Sequence, residues 1–174
     1  MVFAVSTDTC YGFACNFYDE SGYDEIFEIK NRDKSKLMSI AVKDFSELER
    51  ISKLNSGQID FLKTYHFPFT IVTEIKDDFI IPPFLDKSLY KDFGIRVAGL
   101  FLTDEMNEIL DFPIFLTSAN NSGEKEIYDY SEFENIFSGH DITIIKGRTG
   151  QNLTSNIFKF IGDSIELDYI RKNY

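Results

Sequence analysis

Ile114-Phe115-Leu116-Thr117-Ser118-Ala119-Asn120-Asn121-Ser122-Gly123 is an apolar run that turns polar within one residue. Its first part has the composition of a short buried strand. Its second part offers hydroxyls and amides, neutral donors suited to a phosphate or a base, and equally the residues of an ordinary loop. Working outward, further β-branched or aromatic runs predict strands at Phe3–Val5, Ser39–Val42, Phe69–Ile75, Ile95–Val97, Ile142–Ile145, Ile157–Ile161 and Ile165–Ile170, beside Ile114–Thr117 itself. Helical patterns lie between some of them. Tyr23, Ile26, Phe27 and Lys30 share one face of a helix over residues 23–31. Ser46 and Glu49 form a capping-box pattern at the start of a second, with Leu48 and Ile51 inward. Others are predicted at Ile59–Tyr65, Asp104–Leu110 and Ser131–Phe137, the last with a Ser131…Glu134 box. The interleaving is too irregular for a doubly wound nucleotide fold. It predicts an α/β domain of the α+β kind, built on a twisted mixed sheet. Asp77–Phe93, with Pro82-Pro83 inside, reads as a long surface excursion near a site.

The chain has 174 residues, a length that suits one domain, and its 18 Phe and 9 Tyr supply ample core. Eighteen basic against 29 acidic residues leave a net charge of −11, and such a chain repels the phosphates of bare nucleic acid. Weak or no direct RNA binding is therefore expected, although a local basic patch remains compatible with contact. No apolar run is long enough to span a membrane, and Met1–Val5 lacks the features of a signal peptide. A cytoplasmic location is expected. Cys10 and Cys15, with His66 and His140 far apart, match no zinc spacing. They read as buried or half-buried thiols in a reducing compartment.

Two more segments are polar where a packed strand would not be. Ser6-Thr7-Asp8-Thr9-Cys10-Tyr11-Gly12 follows the opening strand; it reads as a small-ligand site with Gly12 allowing close approach, or as a hydroxyl turn capping a helix. Lys30, Arg32, Lys34 and Lys36 place four cations in seven positions. They suit a triphosphate, or equally a solvated helix end, where cations are favoured by the dipole. Gly147-Arg148-Thr149-Gly150 is a weaker candidate, matching neither common phosphate loop. No Ser-His-Asp or Cys-His set can be assembled.

In this order, these segments resemble the YrdC-like family of threonylcarbamoyl-AMP synthases. Ser6–Cys15 is similar to the family's PTDTVYGLAC, and Lys30-Asn31-Arg32 to its helix-end KxR, with Lys36 at a further basic position. Phe67–Val72 resembles PGPxTxV, Gly94–Val97 resembles GVRVP, and Thr117–Gly123 resembles TSANxSG. Thr154–Ile157 and Ile170-Arg171 are looser echoes of PSTVVD and the closing LR.

The resemblance implies a twisted open mixed β-sheet flanked by helices, with a large concave cavity. It implies an ATP-using enzyme that joins L-threonine, bicarbonate and ATP, with Mg²⁺, into threonylcarbamoyl-AMP and pyrophosphate. A separate transferase complex would then modify an adenosine beside the tRNA anticodon. The catalytic tetrad falls on Lys30, Arg32, Ser118 and Asn120, with Lys30 and Arg32 facing the polyphosphate. Thr70, Ser155 and Arg171 would join the ATP site, and Thr7, Thr9, Arg96 and Thr117 the threonine site. No protein side chain is assigned to metal. On this reading Lys30→Ala leaves the fold's stability nearly unchanged. Ser6, Asp33, Asn156 and Lys159 depart from the family's residues. The expected arrangement is a single short-form domain over residues 1–174, without the helix that usually precedes the first strand, so one sheet face is less covered. The competing expectations are a relative that binds nucleotide or RNA without synthesis, and a structural RNA-binding module.

Overall fold

A computed structural model describes residues 1–150 and 153–174. The strands are β1 (Val2–Ser6), β2 (Tyr11–Asn16), β3 (Ser39–Val42), β4 (Phe69–Glu74), β5 (Asp92–Val97), β6 (Ile114–Ser118), β7 (Ile142–Ile145), β8 (Asn156–Phe160) and β9 (Leu167–Arg171). The helices are α1 (Glu20–Ile29), α2 (Phe45–Ile51), α3 (Ser56–Thr64), α4 (Asp104–Ile109) and α5 (Tyr130–Phe137). The strands form one nine-stranded mixed sheet in the order β7-β1-β2-β6-β3-β5-β4-β8-β9. The β1–β7, β3–β5 and β4–β8 pairs are parallel, and the others antiparallel.

Strand periodicity divides the interior in two. Val2 and Ala4 of β1 join the larger cluster, with Phe13, Ile40, Ile71, Ile95, Phe115 and Phe158 from neighbouring strands. Helices α1, α2, α3 and α5 cover that face through Tyr23, Ile26, Leu48, Ile51, Ile59, Leu62, Phe133 and Phe137. Phe3 and Val5 point the other way, into a smaller cluster closed by Met106 and Leu110. The same alternation puts Gly12, Ser39, Thr70, Arg96, Leu116 and Ile157 opposite the larger core, where the functional cavity opens.

Several expectations need correction. Tyr11 and Gly12, the end of the segment read as a ligand site, line the cavity, but they also open a central strand, residues 11–16, that was not expected and that pairs with β1 and β6. Gly12 does allow a close approach, but to protein: a Cβ there would lie 2.8 Å from Leu116 Cδ1 and 3.1 Å from the Thr117 carbonyl. The second helix is capped by Asp44, which accepts from Glu47 N, and the fifth by Asp129, so neither Ser46 nor Ser131 is the cap. The capping box belongs to Asn55 and Gln58 at α3. The excursion 77–93 contributes nothing to the cavity; it returns to the helix-covered face, where Leu85 and Tyr90 are buried and the Tyr90 and Tyr23 hydroxyls meet at 2.8 Å.

Candidate functional site

The cavity has a volume of about 270 Å³ and lies on the open face of β3, β4, β5, β6 and β8. That is near the lower end of the ~300–1,000 Å³ range of small-ligand pockets. One end is the β1–β2 hairpin turn. Thr7 Oγ1 accepts from Thr9 N (3.2 Å), donates to the Cys10 carbonyl (2.8 Å) and lies 3.0 Å from Thr9 Oγ1. The hydroxyl turn thus exists, closing a hairpin instead of capping a helix. Arg96 of β5 lines the cavity, forms a short ion pair with Asp8, and stacks its guanidinium over Phe101. Its Nε is buried without a hydrogen-bond partner among the described residues. Thr117 lines the same cavity.

On the strands beside Arg96, Thr70 and Ser155 place their hydroxyls 2.9 Å apart, and Arg171 donates from Nε and Nη2 to the Ser155 carbonyl at 3.1 and 2.8 Å. The sheet brings these together because β8 pairs with both β4 and β9.

The Lys30–Arg32 segment is shaped by the end of α1. Asn31 adopts φ 47°, while Arg32 N donates to the Phe27 carbonyl and Asn31 N to the Glu28 carbonyl, the paired bonds of a Schellman ending. That reversal separates the two cations. Arg32 lines the cavity, its guanidinium steadied by the Lys36 and Leu37 carbonyls at 3.2 and 2.7 Å. Lys30 is only 2% exposed and does not line the cavity. Its ammonium donates to the Ser118 carbonyl, to the Asn120 carbonyl (2.7 Å) and to Asn120 Oδ1 (3.2 Å). An ammonium has three donors, and all three are taken. Burial, helped by the Arg32 charge, lowers its pKa to about 8.

The four tetrad residues therefore converge, in two layers. Arg32 and Ser118 face the cavity; Lys30 and Asn120 brace the loop behind them. Asn120 Oδ1 accepts from Ser118 Oγ at 2.6 Å, and its Nδ2 donates to the Glu124 carbonyl at 2.7 Å. The expectation that Lys30 is a free cation facing phosphate is corrected. Closure of α1 against the end of β6 puts it inside the protein. Lys34 pairs with Asp24 on the surface, and Lys36 is exposed and away from the cavity.

The departures from the family pattern have structural partners. Ser6 is buried beneath Gly147, where a Cβ would come within 1.9 Å of its Oγ. Gly150 N donates to the Thr7 carbonyl at 2.9 Å, so the Gly147–Gly150 segment packs the hairpin turn. Asn156 accepts from Asn173 N at 2.7 Å and donates to Tyr65 at 2.6 Å, securing the carboxy-terminal strand. Asp33 caps its own turn at Ser35, and Lys159 pairs with Asp168. Glu126, which the sequence reading missed, also lines the cavity. No local signal sets it apart from the other acidic residues of this chain.

A family model described as telomere recombination, its name joining Sua5, YciO and YrdC, matches residues 1–172. The chain belongs to the Sua5/YciO/YrdC family. A Methanocaldococcus jannaschii protein provisionally named threonylcarbamoyl-AMP synthase is 28% identical over 91% of this chain and 74% of its own length. The human threonylcarbamoyl-AMP synthase is 24% identical over 86% of this chain. This chain spans only 52% of that human relative. A structure of P. abyssi Sua5 complexed with L-threonine has a TM-score of 0.73 at 23% identity, covering 91% of this chain and 47% of that one. At that identity the likeness shows the fold. The Sua5/YciO/YrdC sheet thus carries a cavity lined by hydroxyls and by three guanidiniums, from Arg32, Arg96 and Arg171.

Proposed function

We propose that this family member is a threonylcarbamoyl-AMP synthase, joining L-threonine, bicarbonate and ATP and releasing pyrophosphate. One observation carries the reading. In a chain of net −11, a single cavity concentrates three guanidiniums among hydroxyls. Such a lining fits a polyphosphate and an amino acid carboxylate together. The threonine amine adds to carbon dioxide drawn from bicarbonate and releases a proton, giving a carbamate. A carbamate oxygen then bonds to the α-phosphorus as the bond from that phosphorus to the pyrophosphate oxygen breaks. No protein nucleophile is needed, and positioning with charge neutralisation carries the step.

Thr7, Thr9, Thr117 and Arg96 would hold threonine. Arg32, Ser118, Thr70, Ser155 and Arg171 would hold ATP, with Lys30 and Asn120 keeping Ser118 in place. Among the described residues no group of three or more His, Cys, Asp or Glu stands together. The donor set therefore suits a Mg²⁺ ion arriving on the nucleotide's phosphates, where it would neutralise their charge. We place the reaction in the cytoplasm, upstream of a transferase complex acting on tRNA; among the described residues no helix is long and apolar enough to cross a membrane.

A second reading, nucleotide or RNA binding without synthesis, rests on the internal satisfaction of Lys30 and Asn120, which spend their polar atoms on the protein itself. Incubation with ATP, Mg²⁺, threonine and bicarbonate, with mass detection of the adenylate and of pyrophosphate, separates the two. Synthesis requires threonine and bicarbonate together, and serine should be poorer by roughly 10- to 200-fold for want of one methyl. Pyrophosphate release at the same rate with ATP alone refutes synthesis. Nucleotide binding with no adenylate favours the second reading.

A further inference from the structure

Glu126 is half-buried, and it is the only carboxylate among the described residues lining the cavity. Every other charged group there is engaged: Arg96 with Asp8, Arg171 with the Ser155 carbonyl, and Arg32 with the Lys36 and Leu37 carbonyls. Glu126 alone has no hydrogen bond or ion pair among the described residues, although three guanidiniums share its cavity. Its oxygens are not among the buried unpaired atoms, so they face the open space of the cavity, available to a ligand's donor.

Its backbone is not free to move. The next residue, Ile127, is 2% exposed within the larger core, and its carbonyl accepts from Tyr11 N at 2.9 Å. The Tyr128 carbonyl accepts from Thr149 Oγ1 at 3.0 Å. With Ile127 directed into the core, Glu126 is held on the cavity side.

We infer that Glu126 is the counter-ion for the α-ammonium of a zwitterionic amino acid, whose carboxylate pairs with Arg96 across the hairpin turn. Two opposite charges act on the thiol at the end of that turn. Burial raises the Cys10 pKa most, Arg96 draws it down, and Glu126 pushes it up. Thr9, Cys10 and Tyr11 all line the cavity there. A guanidinium and an unpaired carboxylate flanking one set of hydroxyls form a dipolar site. It selects a ligand bearing both charges over one bearing a carboxylate alone.

The inference rests on the synthase reading and deepens it. Its test is calorimetric titration of L-threonine, and of the hydroxy acid in which a hydroxyl replaces the ammonium, into wild type and Glu126→Gln. MgATP is titrated in parallel, and melting curves check both folds. Wild type should bind threonine and reject the hydroxy acid. Glu126→Gln should bind threonine about 10- to 100-fold more weakly, the loss of one charge-assisted contact, and should lose most of that discrimination. Its MgATP affinity should hold or rise, because the lost carboxylate acts against the Arg171 charge in the same cavity and would repel phosphate. Equal threonine binding by the two proteins overturns the assignment and leaves the synthase reading standing. Loss of MgATP binding with threonine binding intact overturns it in favour of a metal ligand. A wild type that binds MgATP and no threonine overturns both readings.

Discussion

Replacing Lys30 tests whether its ammonium is a brace or a ligand-facing charge. The side chain is 2% exposed, and its three donors go to the Ser118 carbonyl, the Asn120 carbonyl and Asn120 Oδ1. The acceptors do not lose equally. Asn120 Oδ1 keeps Ser118 Oγ at 2.6 Å, and the Ser118 carbonyl keeps Asn120 N at 3.1 Å. The Asn120 carbonyl loses its donor, at about 1–3 kcal/mol for a buried orphan. Truncation to alanine also empties the space of a long buried side chain, for which large-to-small core changes cost ~2–5 kcal/mol. Relief of the ammonium's burial opposes both terms. A net loss of about 3 kcal/mol is expected for Lys30→Ala, against the ±0.5 kcal/mol or so of an exposed position. At roughly 2–4 °C per kcal/mol for a domain of this size, the melting temperature should fall by about 6–12 °C. Lys30→Met keeps most of the volume and loses the bonds, so it should fall about half as far. Thermal and urea unfolding of the ligand-free proteins measure both. A Lys30→Ala protein within about 0.5 kcal/mol of wild type would refute the brace and restore the solvent-facing cation.

The same lysine predicts a pH trend. Its folded pKa of about 8 lies below the ordinary 10.5, so between these values the unfolded chain binds more protons and stability contributed at this site rises with pH. The advantage of wild type over Lys30→Met in urea should therefore grow from pH 8 toward pH 10; a shrinking gap would contradict it. Cys10 and Cys15 are 4% and 0% exposed, and burial raises both thiols. The native protein should resist a thiol-titrating reagent at neutral pH and react with it in denaturant; rapid native labelling of both would count against the packing. Filter binding of tRNA should be weak at physiological salt and vanish as salt is raised, given the net charge of −11. Tight binding that persists in high salt would overturn it.

Most strands were legible because each carries its own signal. Ser39–Val42 and Ile142–Ile145 alternate or run apolar between turn residues, and both strands have those bounds. Tyr11–Asn16 was not legible. As a central strand paired on both sides it contains Gly12, Ala14 and Cys15, small residues that fit beneath neighbouring side chains and carry little β signal of their own. The helix starts were misplaced by two residues at Ser46 and Ser131, where an aspartate upstream makes the cap.

The sequence by itself determined the order of the polar segments, the alternation that puts Thr70 and Arg96 opposite the core, and the acidity of the chain as a whole. Those are properties of neighbouring residues, and a strand's period of two or a chain's net charge needs no knowledge of distant contacts. Only the tertiary structure decided which charges remain available. Lys30 and Arg32 stand two residues apart and look alike in the chain. Yet the left-handed turn at Asn31 sends one into the protein, onto carbonyls about 90 residues away, and leaves the other in the cavity. Glu126 is the converse, an acidic residue among many that acquires meaning because the buried Ile127 beside it holds it on the cavity side, without a hydrogen bond or ion pair among the described residues. Electrostatic partners are set by distance in space and by burial, and neither is written into the local sequence.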